Sequence, residues 1–226
     1  MSRTRFSTAF LDAGGVLVCP NWPRAAAALQ RHGVDVDPER LAAVEPDVKR
    51  QLDVAPTVRT TSDEQRGFLY FDLILQRAGI ARSEATDAAL TELKRFHDTE
   101  NTWDHVPSDV TPALEYLRRS GLRIVVVSNT NGTLRRLFDR VGLLPLIDGL
   151  VDSTEEGVEK PDPRLFRVGL ERYGASPDTT IHCGDLYEID VVGARAAGLR
   201  AVLLDRAGLY DDVDYRRVRS LAEYAE

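Results

Sequence analysis

The stretch FLDAGGVLV, Phe10–Val18, sets an apolar run against one acid, Asp12, and two consecutive glycines, Gly14 and Gly15. Paired glycines weaken a strand and belong where the backbone must turn or approach another group closely. The stretch therefore reads as a buried strand, FSTAFLD at 6–12, that stops at Asp12. Four more apolar, partly β-branched runs have the same character: LRIVVVSN at 122–129, LIDGLVDS at 146–153, TIHCGD at 180–185 and RAVLLD at 200–205. From the second run onward they alternate with helical patterns, TPALEYLRRSG at 111–121, TLRRLFDRVG at 133–142, PRLFRVGLERYG at 163–174 and DVVGARAAG at 190–198. Such alternation predicts a parallel, doubly wound sheet with helices on both faces. The fold class is α/β.

Residues 21–105 contain no convincing strand and several helical segments, which predicts an inserted helical domain between core segments 1–20 and 106–226. SDEQRGFLYFDLILQRAG, 62–79, opens with the capping-box spacing of Ser62 and Gln65, is apolar almost all round and stops at Gly79, as a central buried helix does. SEATDAALTELKRF, 83–96, puts Ala89, Leu93 and Phe96 on one face. Pro46 inside ERLAAVEPDVKRQL predicts a kinked or split helix.

The 226 residues, 43% of them hydrophobic, are enough to bury a core. Asp plus Glu number 36 against 29 Lys plus Arg, a net charge of -7, which argues against a surface that tracks nucleic acid. Cys19 and Cys183 lie far apart without CxxC spacing and read as small buried residues, not as a disulfide framework or zinc site. The basic N-terminus is followed by too short an apolar run for a signal segment, and no run approaches the ~20 residues of a membrane span. A cytoplasmic protein without membrane or nucleic-acid partners is expected. GxGxxG after a strand, a Walker lysine loop, HExxH and EF-hand loops are all absent from the sequence.

In doubly wound sheets ligands bind beyond the carboxyl ends of the strands. Those ends carry Asp12 with Gly14, Ser128 with Asn129, Asp152, and Gly184 with Asp185, while Lys160 sits in the loop GVEKPDP at 157–163. Singly, each has an ordinary reading as a turn former, helix cap or solvated loop residue. Jointly they put acids and one cation on one sheet edge, which demands a shared cause.

At this point the residues resemble the haloacid dehalogenase superfamily, whose four ordered motifs are matched by LDAGGVL at 11–17, VVVSNT at 125–130, EKPDP at 159–163 and HCGDLYEIDVVGARAAG at 182–198. The resemblance places a mobile cap where the helical insertion falls. It implies Asp12 as a nucleophile that attacks phosphorus to give an aspartyl-phosphate, splitting one difficult displacement into two. It implies Mg²⁺ held by Asp12, the Gly14 backbone carbonyl, Asp185 and waters, an oxygen-rich shell suited to a hard octahedral cation. Lys160 would neutralise the transferring phosphoryl, Ser128 and Asn129 would help to bind it, and Asp190 would stand near the metal or hold Lys160. Asp152 has a weaker claim.

One departure from the family pattern matters. Its phosphatases usually carry a second Asp two residues after the nucleophile, as acid and then base, and here Gly14 stands there. Such proton transfer is typically worth about 10²–10⁴-fold. The resemblance thus leaves several readings: a phosphatase of a small phosphorylated metabolite in which another group moves the proton, a weakly active phospholigand-binding protein, or a dehalogenase or phosphonatase. Dehalogenases lack the acids matched by Asp185 and Asp190, and a phosphonatase needs a desolvated lysine, for which Lys49 and Lys94 offer no suitable context. His105, at the hinge of insertion and core, is the candidate substitute proton carrier. His182 reads as a satisfied core residue, and His32 and His97 show no metal spacing. Arg24, Arg59 and Arg66 read mostly as a solvated helix face. The expected assembly is a monomer or homodimer.

Overall fold

The computed structural model describes residues 6–225; the basic N-terminal segment carrying Arg3 and Arg5 lies outside the described residues. Strands form at all five apolar runs: β1 (Thr8–Leu11), β2 (Arg123–Ser128), β3 (Gly149–Asp152), β4 (Thr180–Gly184) and β5 (Arg200–Leu204). A sixth, β6 (Arg217–Val218), is only two residues long. The sheet order is β3-β2-β1-β4-β5-β6, and every neighbouring pair is parallel. All four β1 residues are buried, as are the last five of β2 and all five of β4. Burial on both faces is why these strands read as continuous apolar runs instead of alternating ones.

The described residues divide into two compact units, one running to Cys19 and resuming at Val106, the other Pro20–His105. The boundary falls one residue before the expected one. In the helical unit, α1 (Trp22–Arg31), α2 (Pro38–Leu52), α3 (Ala55–Thr60), α4 (Asp63–Arg77) and α5 (Glu84–Glu100) pack around Trp22, Leu29, Leu41, Tyr70, Ile74 and Leu93. The local chemistry that starts them is direct. Asn21 accepts from the Arg24 N–H, Asp37 accepts from the Glu39 N–H, and Ser62 with Gln65 and Ser83 with Thr86 form reciprocal capping boxes.

Four expectations change. Pro46 does not split its helix: α2 runs unbroken through it, held on both sides by the buried Leu41 and Val48. Helix α4 is not buried all round, because Phe68 and Leu69 are exposed; the fully covered stripe runs from Arg66 through Tyr70 to Ile74 and Leu75, with Phe71 and Leu73 half-buried beside it. Arg66 is not on a solvated face but 6% exposed, donating to the Thr61 carbonyl at 2.6 Å and to Asp63 at 3.3 Å. Cys19 is half-buried, whereas Cys183 is fully buried.

In the α/β unit, α6 (Val110–Arg119), α7 (Leu134–Arg140), α8 (Ser153–Glu156), α9 (Pro163–Arg172), α10 (Gly193–Ala196) and α11 (Leu221–Ala225) flank the sheet. Phe10, Val125, Val127, Val151, Phe166 and Leu203 form the core of one face. The segment expected as one helix at 190–198 begins instead with a π-helical turn, Tyr187–Val192, that passes into α10. Among the described residues no helix is long and apolar enough to cross a membrane.

Candidate active site

Because β1 lies between β2 and β4, the residues that follow these strands are brought side by side. The Asp12 N–H donates to the Cys183 carbonyl at 2.9 Å, extending the ladder one residue beyond β1 and fixing where the carboxylate emerges. The chain then turns: the Leu17 and Val18 N–H groups both bond the Ala13 carbonyl at 2.9 Å, and the Gly15 N–H bonds the Val18 carbonyl at 2.8 Å. Gly15 adopts φ of 72°, the left-handed region in which glycine carries no Cβ penalty. Gly14 sits in this turn, two residues after Asp12.

Lys160 is 1% exposed, an extreme that a lysine tolerates only when paired. Its Nζ donates to Asp12 Oδ1 at 2.7 Å and to Asp190 Oδ1 at 2.6 Å. Asn129 positions the lysine backbone from the neighbouring strand end: its Oδ1 accepts from the Lys160 N–H at 2.7 Å and its Nδ2 donates to the Lys160 carbonyl at 2.9 Å. Ser128, 2% exposed, hydrogen-bonds the Asp12 carboxylate.

Asp190 is fully buried. Its Oδ1 also faces His182 Nε2 at 3.1 Å, and its Oδ2 accepts from the Leu186 N–H at 3.1 Å. The approach of this side chain to β4 depends on Gly184, where a Cβ would lie 2.1 Å from Asp190 Cγ. Oxygens of Asp12, Asp185 and Asp190 all lie within 4.8 Å of one another.

The charges of this cluster set each other. Burial penalises the Asp12 carboxylate and, with Asp190 adding to it, outweighs the pull of Lys160, so its pKa is raised. Burial acts the same way on Asp190, but Lys160 and His182 together overcome it and hold that carboxyl below the ordinary range. Lys160 is disfavoured by burial and favoured by both aspartates; the aspartates win and its pKa is raised. The cation is therefore retained at neutral pH. Burial pushes the Cys183 thiol far up, which removes it as a nucleophile.

The sequence-predicted residues Asp12, Ser128, Asn129, Lys160, Asp185 and Asp190 thus meet at one end of the sheet. Asp152 is used differently: Oδ1 caps α8 through the Thr154 N–H at 2.9 Å. His105 is exposed, His32 pairs with Glu92 at 3.0 Å, and His97 Nδ1 faces Thr102. Lys94 is paired with Asp98 at 2.7 Å on the surface. Arg24 pairs with Asp104 at 2.8 Å and lies 4.0 Å over the Phe96 ring. The residue that sequence reasoning undervalued is His182. Positions 182 and 184 share one face of β4, and the glycine there lets Asp190 settle within reach of the imidazole; HxG followed six residues later by an acid was the available signal.

Chemically, three carboxylates with oxygens within 4.8 Å of one another, two of them paired with one ammonium, make an acidic oxygen donor set among the described residues. That is the donor chemistry of a hard divalent cation such as Mg²⁺, so the residues present fit such an ion. A carboxylate held beside a cation in a site of this kind can serve as a nucleophile towards an anionic centre.

The profile of the haloacid dehalogenase-like hydrolases matches residues 6–198. A glyceraldehyde 3-phosphate phosphatase of Methanopyrus kandleri is 33% identical over 150 residues, 65% of this chain and 62% of that protein. A ribulose-1,5-bisphosphate 5-phosphatase of Halopiger xanaduensis is 31% identical over 193 residues, 80% of this chain and 75% of that protein. The chain spans between 50% and 62% of the length of four curated relatives it matches. Among solved structures, magnesium-bound YfnB of Bacillus subtilis superposes with a TM-score of 0.69 at 18% identity, over 97% of each chain.

Proposed function

This chain belongs to the haloacid dehalogenase-like hydrolases, and on that premise we propose that it is a Mg²⁺-dependent phosphatase of a small phosphorylated metabolite, with Asp12 as nucleophile. The observation that carries the proposal is the buried Lys160 ammonium, 2.7 Å from Asp12 and 2.6 Å from Asp190. An anionic nucleophile reaches an anionic phosphoryl group only where positive charge offsets their repulsion.

In the first step an Asp12 carboxylate oxygen attacks phosphorus, the bond to the leaving oxygen breaks and an aspartyl-phosphate forms on Asp12. Lys160 donates to the attacking carboxylate and stabilises charge on the transferring group. Ser128, already hydrogen-bonded to Asp12, orients a phosphoryl oxygen. In the second step water attacks the phosphorus, releasing phosphate and restoring the carboxylate. Asp12, Asp185 and the Gly14 backbone carbonyl would hold Mg²⁺, with Asp190 at its edge, and the ion would supply further positive charge against the phosphoryl oxygens. As part of the same proposal, residues 21–105 are the cap and decide which metabolite is accepted.

Gly14 offers no side-chain proton to the leaving oxygen, and this favours a second reading, a protein that binds phosphorylated ligands and turns over little. Phosphate release from a panel of phosphomonoesters, with Mg²⁺ and with EDTA, separates the two. Release that requires Mg²⁺ and vanishes in Asp12→Asn supports the phosphatase. No release from any ester alongside tight ligand binding supports the second reading.

A further inference from the structure

Among the described residues Asp190 is held by three donors, one from the backbone and two from side chains. The Leu186 N–H fixes Oδ2 at 3.1 Å; Oδ1 is shared between Lys160 Nζ at 2.6 Å and His182 Nε2 at 3.1 Å. His182 is fully buried, its ring edge-on to Phe166 with centroids 4.9 Å apart, and its Nδ1 has no hydrogen-bond partner among the described residues. A carboxylate accepts only, so Nε2 carries a proton and donates it to Asp190 Oδ1. A polar ring placed in a strand otherwise made of buried residues, with one nitrogen spent on a carboxylate and the other on nothing, is not explained by packing; leucine or phenylalanine would fill the space without an orphaned polar atom.

We propose that His182 is a positioning residue for the phosphoryl-transfer site: its Nε2–H pins Asp190 Oδ1 at the point where that oxygen holds the Lys160 ammonium against Asp12. The inference rests on the phosphatase reading for its kinetic consequence and on the geometry alone for its structural one. Lysine has a long, rotatable stem, and Asn129 fixes only its backbone end. The head is fixed by Asp12 and Asp190, and Asp12 is the group that must change partners during reaction. Asp190 is therefore the constant anchor, and His182 is what keeps its shared oxygen in place. A chain from imidazole to carboxylate to ammonium to nucleophile results, in which His182 touches neither substrate nor metal.

The test has two arms. In the first, the metal-free wild-type protein is labelled with ¹⁵N and its imidazole and Lys160 Nζ resonances are followed by NMR. A proton on His182 Nε2, with a slowly exchanging Lys160 ammonium signal that is lost in His182→Leu, is expected. A ring without a proton on Nε2, or a Lys160 signal unchanged by the substitution, overturns the proposal. In the second arm, phosphate release is compared between wild type, His182→Leu and His182→Gln, whose amide N–H replaces the Nε2 donor. His182→Leu should lower kcat about 10–100-fold with KM within about twofold, the range typical of groups that orient ligands from behind, and His182→Gln should recover most of that loss. Equal kcat in wild type and His182→Leu, or no recovery in the glutamine variant, overturns it. If His182→Leu does not fold, the wild-type ring tautomer and the glutamine variant still decide. If wild type releases no phosphate, the phosphatase reading falls while the first arm still judges the positioning role.

Discussion

Replacing Lys160 by methionine removes the one ammonium between two buried carboxylates while keeping most of the side-chain volume, and its cost is set by the geometry. At 2.7 and 2.6 Å and an effective dielectric near 20, each ion pair is worth about 6 kcal/mol before desolvation is subtracted. Breaking a buried pair by deleting one partner costs about 3–5 kcal/mol net. What remains is two carboxylates whose oxygens lie within 4.8 Å, repelling by at least about 3.5 kcal/mol at the same dielectric. The protein relieves this by binding protons, which sets the sign of the pH dependence. In wild type, Asp190 lies below the ordinary 3.8 and contributes stability present above that value and lost as pH falls through its folded pKa. Asp12 lies above 3.8 and contributes the opposite slope, losing stability as pH rises through its folded pKa. Without Lys160 both are raised, so the folded state holds protons that the unfolded chain releases, and stability falls as pH rises. Urea unfolding in EDTA should therefore show Lys160→Met destabilised by about 1–2 kcal/mol near pH 5 and about 3–5 kcal/mol near pH 8. A loss that is constant across this range, or that shrinks as pH rises, refutes the reasoning.

Gly184→Ala places a Cβ 2.1 Å from Asp190 Cγ and should cost about 1–3 kcal/mol in urea unfolding, with phosphatase activity falling more steeply than stability; unchanged activity would contradict the placement of Asp190. Burial lowers the His97 pKa below 6.5, against the raising influence of Asp98, and the Thr102 N–H donates to Nδ1 at 3.3 Å. Its contribution to stability is complete above pH 6.5 and declines as pH falls towards the folded pKa, so His97→Gln should flatten the unfolding free energy between pH 6.5 and 5 relative to wild type. Because Gly14 supplies no acid, log kcat/KM should fall as leaving-group pKa rises across a series of phosphate esters, and Gly14→Asp should flatten that line; a flat wild-type line would show that another group protonates the leaving oxygen.

The sheet was legible because parallel strands buried on both faces leave uninterrupted apolar runs, and RIVVVS cannot be mistaken for anything amphipathic. Strand β6 was not, since two residues among arginines carry no periodicity. Pro46 does not end its helix because the missing N–H costs one hydrogen bond, while burial of Leu41 and Val48 anchors the helix on either side. The apolar circumference of α4 suggested a central position, yet Phe68 and Leu69 face outward; composition does not say which side is covered. In the site, the ends of the strands pointed to Asp12, Ser128 and Asp185, with Lys160 in the loop beside them, because the topology forces strand ends together; Asp190 was marked only by the family resemblance. The role of Asn129 as a clamp on the Lys160 backbone could not be read, because an amide beside a phosphate and an amide beside a peptide look alike in sequence. His182 was undervalued for a related reason: its partner is eight positions away on a π-helical turn, and the one signal for it, HxG followed six residues later by an acid, also fits a packed core histidine.

The central claim is that Asp12 itself takes the phosphoryl group. Acid quenching during turnover of a phosphorylated substrate, followed by borohydride reduction and peptide mass spectrometry, tests it directly. An acyl phosphate on Asp12 is reduced to homoserine, so the account predicts that residue at position 12 in the quenched wild type and its absence without substrate. Unmodified Asp12 in an enzyme shown to be turning over, or reduction at another carboxylate, would contradict it.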